Sequence, residues 1–186
     1  MPPKFKFSKN DIISAAVQIV RDGGMSALTA RSLAQKLGSS VKPIFGQFEN
    51  MQELQLEVLN SANALYHSYI TNDMSEGKYP PYKASGMAYI RFAKEEKELF
   101  KLLFMRDRSG EHFEENRDDF QPMLSMVMQS LGISEDKAFM LHLELWIYVH
   151  GIATMIATDY LEWDTEFISN ALTDAYQGLK HRYTKE

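Results

Sequence analysis

Residues 26–50, SALTARSLAQKLGSSVKPIFGQFEN, read as two short helices with a tight turn between them. The Thr29 hydroxyl can accept from a backbone N–H two or three residues on, starting a helix whose Leu33, Ala34 and Leu37 share one face. Gly38 closes it, because glycine takes positive φ without steric cost. Ser39 and Ser40 then form the turn, and Ser40 stands where it can cap a second helix of about two turns that begins at Val41. Pro43 falls in the first turn of that helix, where its missing N–H has no partner to lose. Helix, glycine turn and short helix make the helix-turn-helix pattern, which lays its second helix in a DNA major groove.

The flanks extend the pattern. Upstream, Ile12, Ile13, Ala16, Val17 and Val20 recur at helical spacing, with Ser8 and Asp11 as a capping box, Phe7 as a staple onto Ile12, and Gly23 and Gly24 as the stop. Downstream, Asn50 and Glu53 repeat the capping pattern and open a helix striped by Leu54, Val58, Ala62, Leu65 and Tyr69. Read whole, IISAAVQIVRDGGMSALTARSLAQKLGSSVKPIFGQFENMQEL resembles the N-terminal domain of the tetracycline-repressor (TetR) family of bacterial transcriptional regulators. The resemblance covers roughly the first 65 residues. It implies binding to double-stranded operator DNA as a homodimer. Two positions depart from the family's pattern: Phe45 stands where a tyrosine is usual in the recognition helix, and Met51 where a lysine is usual. Both usual residues commonly touch phosphate in the family, so two contacts are lost or altered here.

Charge is divided in the same sense. Residues 1–50 hold seven lysines and arginines against three acids, a net +4, and the remaining residues hold 13 against 22, a net −9. A basic headpiece can displace counterions from phosphate while an acidic body stays clear. The chain has no cysteine, which removes disulfides and thiolate metal sites. PPKFKFSKNDII lacks the apolar run of a signal peptide. The most apolar later stretch, LELWIYVHGIATMIA, contains Glu144 and His150 and is shorter than the ~20 residues of a membrane span, so a buried helix in a cytoplasmic protein is expected, with no membrane partner.

The body reads as further helices. TNDMSEGKYPPYKAS breaks the chain after Tyr69; helical spacing resumes from Tyr82 to Ala93 and again through EEKELFKLLFM. RDRSGEHFEENRDD is an exposed loop or helix entry, FQPMLSMVMQSLG a helix ended by Gly132, with Pro122 placed to kink its start. Ser134 starts a long helix to about Tyr160 whose apolar residues nearly encircle it, so cover on most sides is expected. The last helix, from about Thr165, carries a stripe of Ile168, Leu172, Ala175, Tyr176, Leu179 and Tyr183, and Ile168, Leu172, Tyr176 and Leu179 are the expected dimer interface. Trp146, His150 and Gly151 match the Trp-x-x-x-His-Gly signature found in the C-terminal regulatory domain of a subset of the TetR family. Phe100, Phe104, Met123, Trp146 and His150 are the expected wall of a pocket for a small, largely apolar effector. The same Met and aromatic residues also read as plain core, and His150 as a hydrogen-bonded core histidine beside a close-packing glycine.

The expectation is therefore an all-α chain of about nine helices: a headpiece of three helices and a connecting fourth over 6–66, then a helical ligand-binding and dimerisation domain over 67–186. Ser40, Thr29 and Lys42 are expected on phosphate; Val41, Lys42, Pro43 and Gln47 on base edges, with Phe45 packing rather than reading. No HExxH, GxSxG or P-loop pattern is present, and His142 and His150 lie about two turns apart, too far for chelation on one helix, so no enzyme, metal or cofactor is expected. A helical interaction module without DNA binding is the alternative, and a small helical enzyme a more distant one.

Overall fold

The computed structural model describes residues 7–107 and 117–185. Among these, all regular structure is helical: α1 (Lys9–Gly23), a 3-10 turn (Met25–Ala27), α2 (Ala30–Lys36), α3 (Met51–Glu76), α4 (Pro81–Glu95), α5 (Lys97–Phe104), α6 (Arg117–Leu131), α7 (Glu135–Ala157) and α8 (Thr165–Thr184). They form two compact units, Met1–His67 with Glu96–Arg106, and Ser68–Glu95 with Asp107–Glu186, so the division falls inside α3.

The first unit is built from the caps its sequence announces. Ser8 Oγ accepts from the Asp11 N–H at 3.1 Å while Asp11 Oδ2 accepts from the Ser8 N–H at 2.9 Å, fixing the start of α1. Gly24 ends it at φ 73, a conformation that favours glycine. Thr29 and Ser32 make the same reciprocal box on α2. At α3 the Asn50 side chain accepts from the Glu53 N–H at 2.9 Å, but Glu53 returns its carboxylate to the Glu49 N–H at 2.7 Å, one residue earlier than the expected box. Ile12, Ala16, Val20, Leu33, Ile44, Phe48, Leu54, Val58, Leu99 and Phe100 form the core.

Gly38 is at φ 58, as a glycine stop requires. The expected second helix over 41–47 does not close as a regular α-helix. It is a run of turns in which the Ile44 and Gln47 N–H groups bond three residues back, to Val41 and Ile44, while Phe45 and Gly46 bond four back, to Val41 and Lys42. Pro43 supplies no N–H, Gly46 is a weak helix former, and among the described residues no Ser40 side-chain bond caps the segment; Ser39 Oγ instead donates to the Ser40 carbonyl at 2.9 Å. The regular helices accordingly number eight, not nine, among the described residues.

In the second unit α4 packs against α6, α7 and α8. Gly86 lets α4 approach closely: a Cβ there would touch Leu172 at 3.4 Å and Val149 at 3.5 Å. Ala84, Ala88, Phe92, Leu124, Leu141, Ala153 and Ala157 are fully buried. Two expectations are corrected, and one is met. α3 does not stop after Tyr69 but runs to Glu76, because the first helix breaker is Gly77 at φ 76 and Asp73 is held by Arg91 of α4. α7 is covered on most sides, as expected, with Leu141, Leu145, Val149, Ile152 and Ile156 buried, and Met140, Ile147 and Tyr148 left exposed. The stripe of α8 is not free: Ile168 and Leu172 lie in the unit's own core, and Tyr176 and Leu179 pack on the cluster of Val127, Ala138, Leu141 and Tyr183. α7 is long and apolar enough to cross a bilayer, which the core helix of a globular unit also is. The loop or helix entry expected over RDRSGEHFEENRDD falls mostly outside the described residues, and its last three residues begin α6.

Candidate functional site

The turn segment 41–47 is anchored from below and open above. Ile44 and Phe48 are buried, which turns Val41, Lys42, Phe45 and Gly46 outward. Val41 is 43% exposed and Phe45 45%, so Phe45, expected to pack, is a surface residue, and the packing aromatic is Phe48. Pro43 and Gln47 are half-buried, and Gln47 Nε2 donates to the Phe7 carbonyl at 3.2 Å, leaving its amide oxygen as the free end. Ser40 is exposed. Thr29 is exposed too, although its hydroxyl already accepts from the Ser32 N–H at 3.0 Å and donates to Ser32 Oγ at 3.0 Å.

The basic character of this unit is narrower than its charge count. Lys9 lies 3.1 Å from both Glu53 and Glu57, and this pairing raises its pKa; Arg21 grips Glu96 with Nε at 2.6 Å and a second N–H at 2.8 Å; Lys36 lies 3.7 Å from Asp22. Lys42 and Arg31 form no ion pair among the described residues, and both are exposed. Arg31, on α2, was not singled out from sequence; its signal was an exposed arginine two residues after the cap. An open groove of about 350 Å³ borders Phe45, Gly46 and Phe48, but Glu49 and Glu53 line it and repel phosphate.

The five expected pocket residues are divided between the two units. Phe100 and Phe104 belong to the first unit, where Phe104 meets Tyr66 edge-on at 5.1 Å. Met123, Trp146 and His150 belong to the second, Met123 half-buried on α6. On α7, His150 stacks on Trp146 with centroids 5.0 Å apart and planes at 14°, and its Nδ1 is 2.8 Å from the Tyr89 hydroxyl. His142 repeats the arrangement two turns earlier, with Nδ1 3.0 Å from the Tyr82 hydroxyl. Burial drives both imidazoles toward the neutral form, His142 to a pKa of about 4. Beside them Phe120, Phe139, His142, Leu143 and Trp146 line a crevice that leaves about 0 Å³ to a water-sized sphere. Among the described residues no group of histidines and carboxylates is placed to hold a metal ion.

Residues 82–176 match a family model described as "Tetracyclin repressor-like, C-terminal domain". No curated protein is significantly similar in sequence. Among solved structures, a TetR variant from Acinetobacter baumannii AYE in complex with minocycline is similar at 17% identity and TM-score 0.58, covering 97% of this chain and 98% of that one. A transcriptional regulator from Rhodococcus sp. Rha1 is similar at 16% identity and TM-score 0.54, covering 96% and 98%. At these identities the likeness is one of fold.

Proposed function

The chain belongs to the TetR family of transcriptional regulators, which are not enzymes, and from that premise we propose that it is a cytoplasmic, homodimeric repressor released from its operator by a small, largely apolar ligand. The observation that carries the DNA-binding part is the outward edge of the turn segment, Val41, Lys42 and Phe45, over a buried Ile44 and Phe48, in a unit where Arg31 and Lys42 are exposed and form no ion pair among the described residues. Each headpiece sets residues 41–47 in a major groove, with half-sites about 34–36 Å apart. Val41 and Phe45 offer apolar contact to a thymine methyl, Lys42 reaches base or phosphate, and Arg31, Thr29 and Ser40 bind phosphate. Pro43 and the Gln47 amide oxygen contribute at the margin. Gel shifts on the DNA upstream of the chain's own gene test this. Lys42→Ala and Arg31→Ala should each weaken binding and lower the salt slope by about one, and a slope unchanged in both would remove them from the site.

Dimerisation through α7 and α8 uses the faces left uncovered: Met140, Ile147 and Tyr148 on α7, Phe167 on α8. Ile147→Glu with Tyr148→Glu should yield a folded monomer by light scattering. The acidic body supports the same division of labour, since it repels phosphate wherever the headpiece does not lead. Release of operator needs a ligand that favours one arrangement of the dimer by 1–3 kcal/mol, about 5- to 150-fold in affinity.

A further inference from the structure

The outward edge of residues 41–47 is poor in groups that read bases by hydrogen bonds. Val41 and Phe45 are 43% and 45% exposed, Gly46 has no side chain, and Pro43 carries no donor at all. Gln47 gives its amide nitrogen to the Phe7 carbonyl, and the Ser39 hydroxyl donates to the Ser40 carbonyl. Among residues 41–47, Lys42 is the one exposed side chain able to donate to a base edge. The Phe45 N–H bonds the Val41 carbonyl at 3.4 Å, so the two apolar side chains stand one helical turn apart on one face, roughly 5–6 Å from each other at Cβ. Glu49 and Glu53 line the groove beside Phe45; Lys9 pairs with Glu53, and Glu49 forms no ion pair among the described residues. Phosphate is repelled from that side of the ring, whereas a neutral base edge is not.

We infer that Val41 and Phe45 make the thymine methyl group the feature by which this headpiece chooses its DNA, and that each operator half-site carries two such methyls on neighbouring or next-but-one base pairs. This rests on the DNA-binding reading above and names the base it selects. Every base pair shows the major groove hydrogen-bond donors and acceptors, and the thymine methyl is the one apolar group there larger than a hydrogen. Against other bases, Val41 and Phe45 would cover polar atoms without pairing them, which costs free energy. Against two thymines they bury methyls instead. Base pairs rise by about 3.4 Å, so side chains roughly 5–6 Å apart span one to two steps.

The test recovers the duplex that the full chain binds best from a random library, then exchanges each of its thymines for deoxyuridine, which keeps every hydrogen-bonding group and lacks only the methyl. Two positions per half-site, one or two base pairs apart, should each lose about four-fold in affinity, the worth of one buried methyl, while thymines elsewhere lose nothing. Cytosine at those positions should bind more weakly than thymine, and 5-methylcytosine should recover about four-fold over cytosine. Phe45→Ala should make one of the two positions indifferent to the exchange and Val41→Ala the other. Both side chains are exposed, so each variant should keep the parent's circular dichroism and melting temperature. Lys42→Ala should weaken binding yet leave both positions sensitive. Tolerance of deoxyuridine at every position, or sensitivity that survives unchanged in both alanine variants, would overturn the inference and leave the DNA-binding reading in place. A library from which no duplex is enriched refutes that reading itself, and the inference falls with it.

Discussion

Each unit has a helix fastened to its neighbours by a different means. In the first, α1 is tied to α3 and α5 by charge, through Lys9 to Glu53 and Glu57 and through Arg21 to Glu96. In the second, α4 is tied to α7 by neutral pairs, Tyr82 to His142 and Tyr89 to His150. Charged ties at a surface weaken with salt and are indifferent to mild acid; neutral buried ones ignore salt and yield when an imidazole is forced to protonate. The second unit carries charged ties as well, Arg91 to Asp73 and Arg182 to Glu144, outside its α4–α7 contact.

The sharpest way to break this contrast is to put a charge inside the second unit. Leu172 is 4% exposed and touches α4 at Gly86. Leu172→Glu should therefore cost about 3–5 kcal/mol and unfold or strongly destabilise the protein, whereas Ile147→Glu, at a position 59% exposed, should change oligomeric state with little loss of melting temperature. If Leu172→Glu melts like the parent, α8 does not pack as described. Acid gives a smaller effect. His142 takes up its proton near pH 4 when folded and at about 6.5 when unfolded, so between those values the unfolded chain binds more protons. Stability present above about pH 6.5 should then fall by up to about 1.4 kcal/mol per unit toward pH 4, and the combined Tyr82→Phe, His142→Phe variant should flatten that slope in urea melts. In the first unit the carboxylates of Asp11 and Glu53 are held below their usual range by backbone N–H groups of Ser8 and Glu49, so what they contribute is lost only at lower pH, as acid passes through their folded values. Arg21→Ala is milder still. Glu96 is 11% exposed and would lose its bidentate partner, for about 1–2 kcal/mol, and the loss should shrink in high salt.

Much of this was legible in local chemistry. Ser8 with Asp11, Thr29, Gly38, Asn50, Gly132 and Ser134 each marked a helix end because a cap needs only a few neighbouring residues. What failed was non-local. An amphipathic stripe such as Ile168 and Leu172 says that a face is buried but not whether its own chain or a partner buries it. The apolar circumference of α7 likewise could not reveal which flank stays open at Ile147. Phe100 and Phe104 read as body because nothing in KELFKLLF says that it folds with residues 75 positions earlier. The crevice at His142 had no motif at all: its lining comes from α6 and α7.

The place of α5 has one more consequence. The chain leaves the first unit at His67, re-enters it at Glu96 and leaves again at Arg106, having deposited Leu99, Phe100 and Leu103 in its core. No single cut can separate the two units. A protease nicking near Gly77 would strand the headpiece without a helix that completes its interior, and a gene truncated after residue 67 would encode a fragment with an open apolar flank. Domain exchange between relatives by one crossover in α3 would pair a headpiece with a foreign α5, so a working chimera needs two junctions in addition, at either end of that helix.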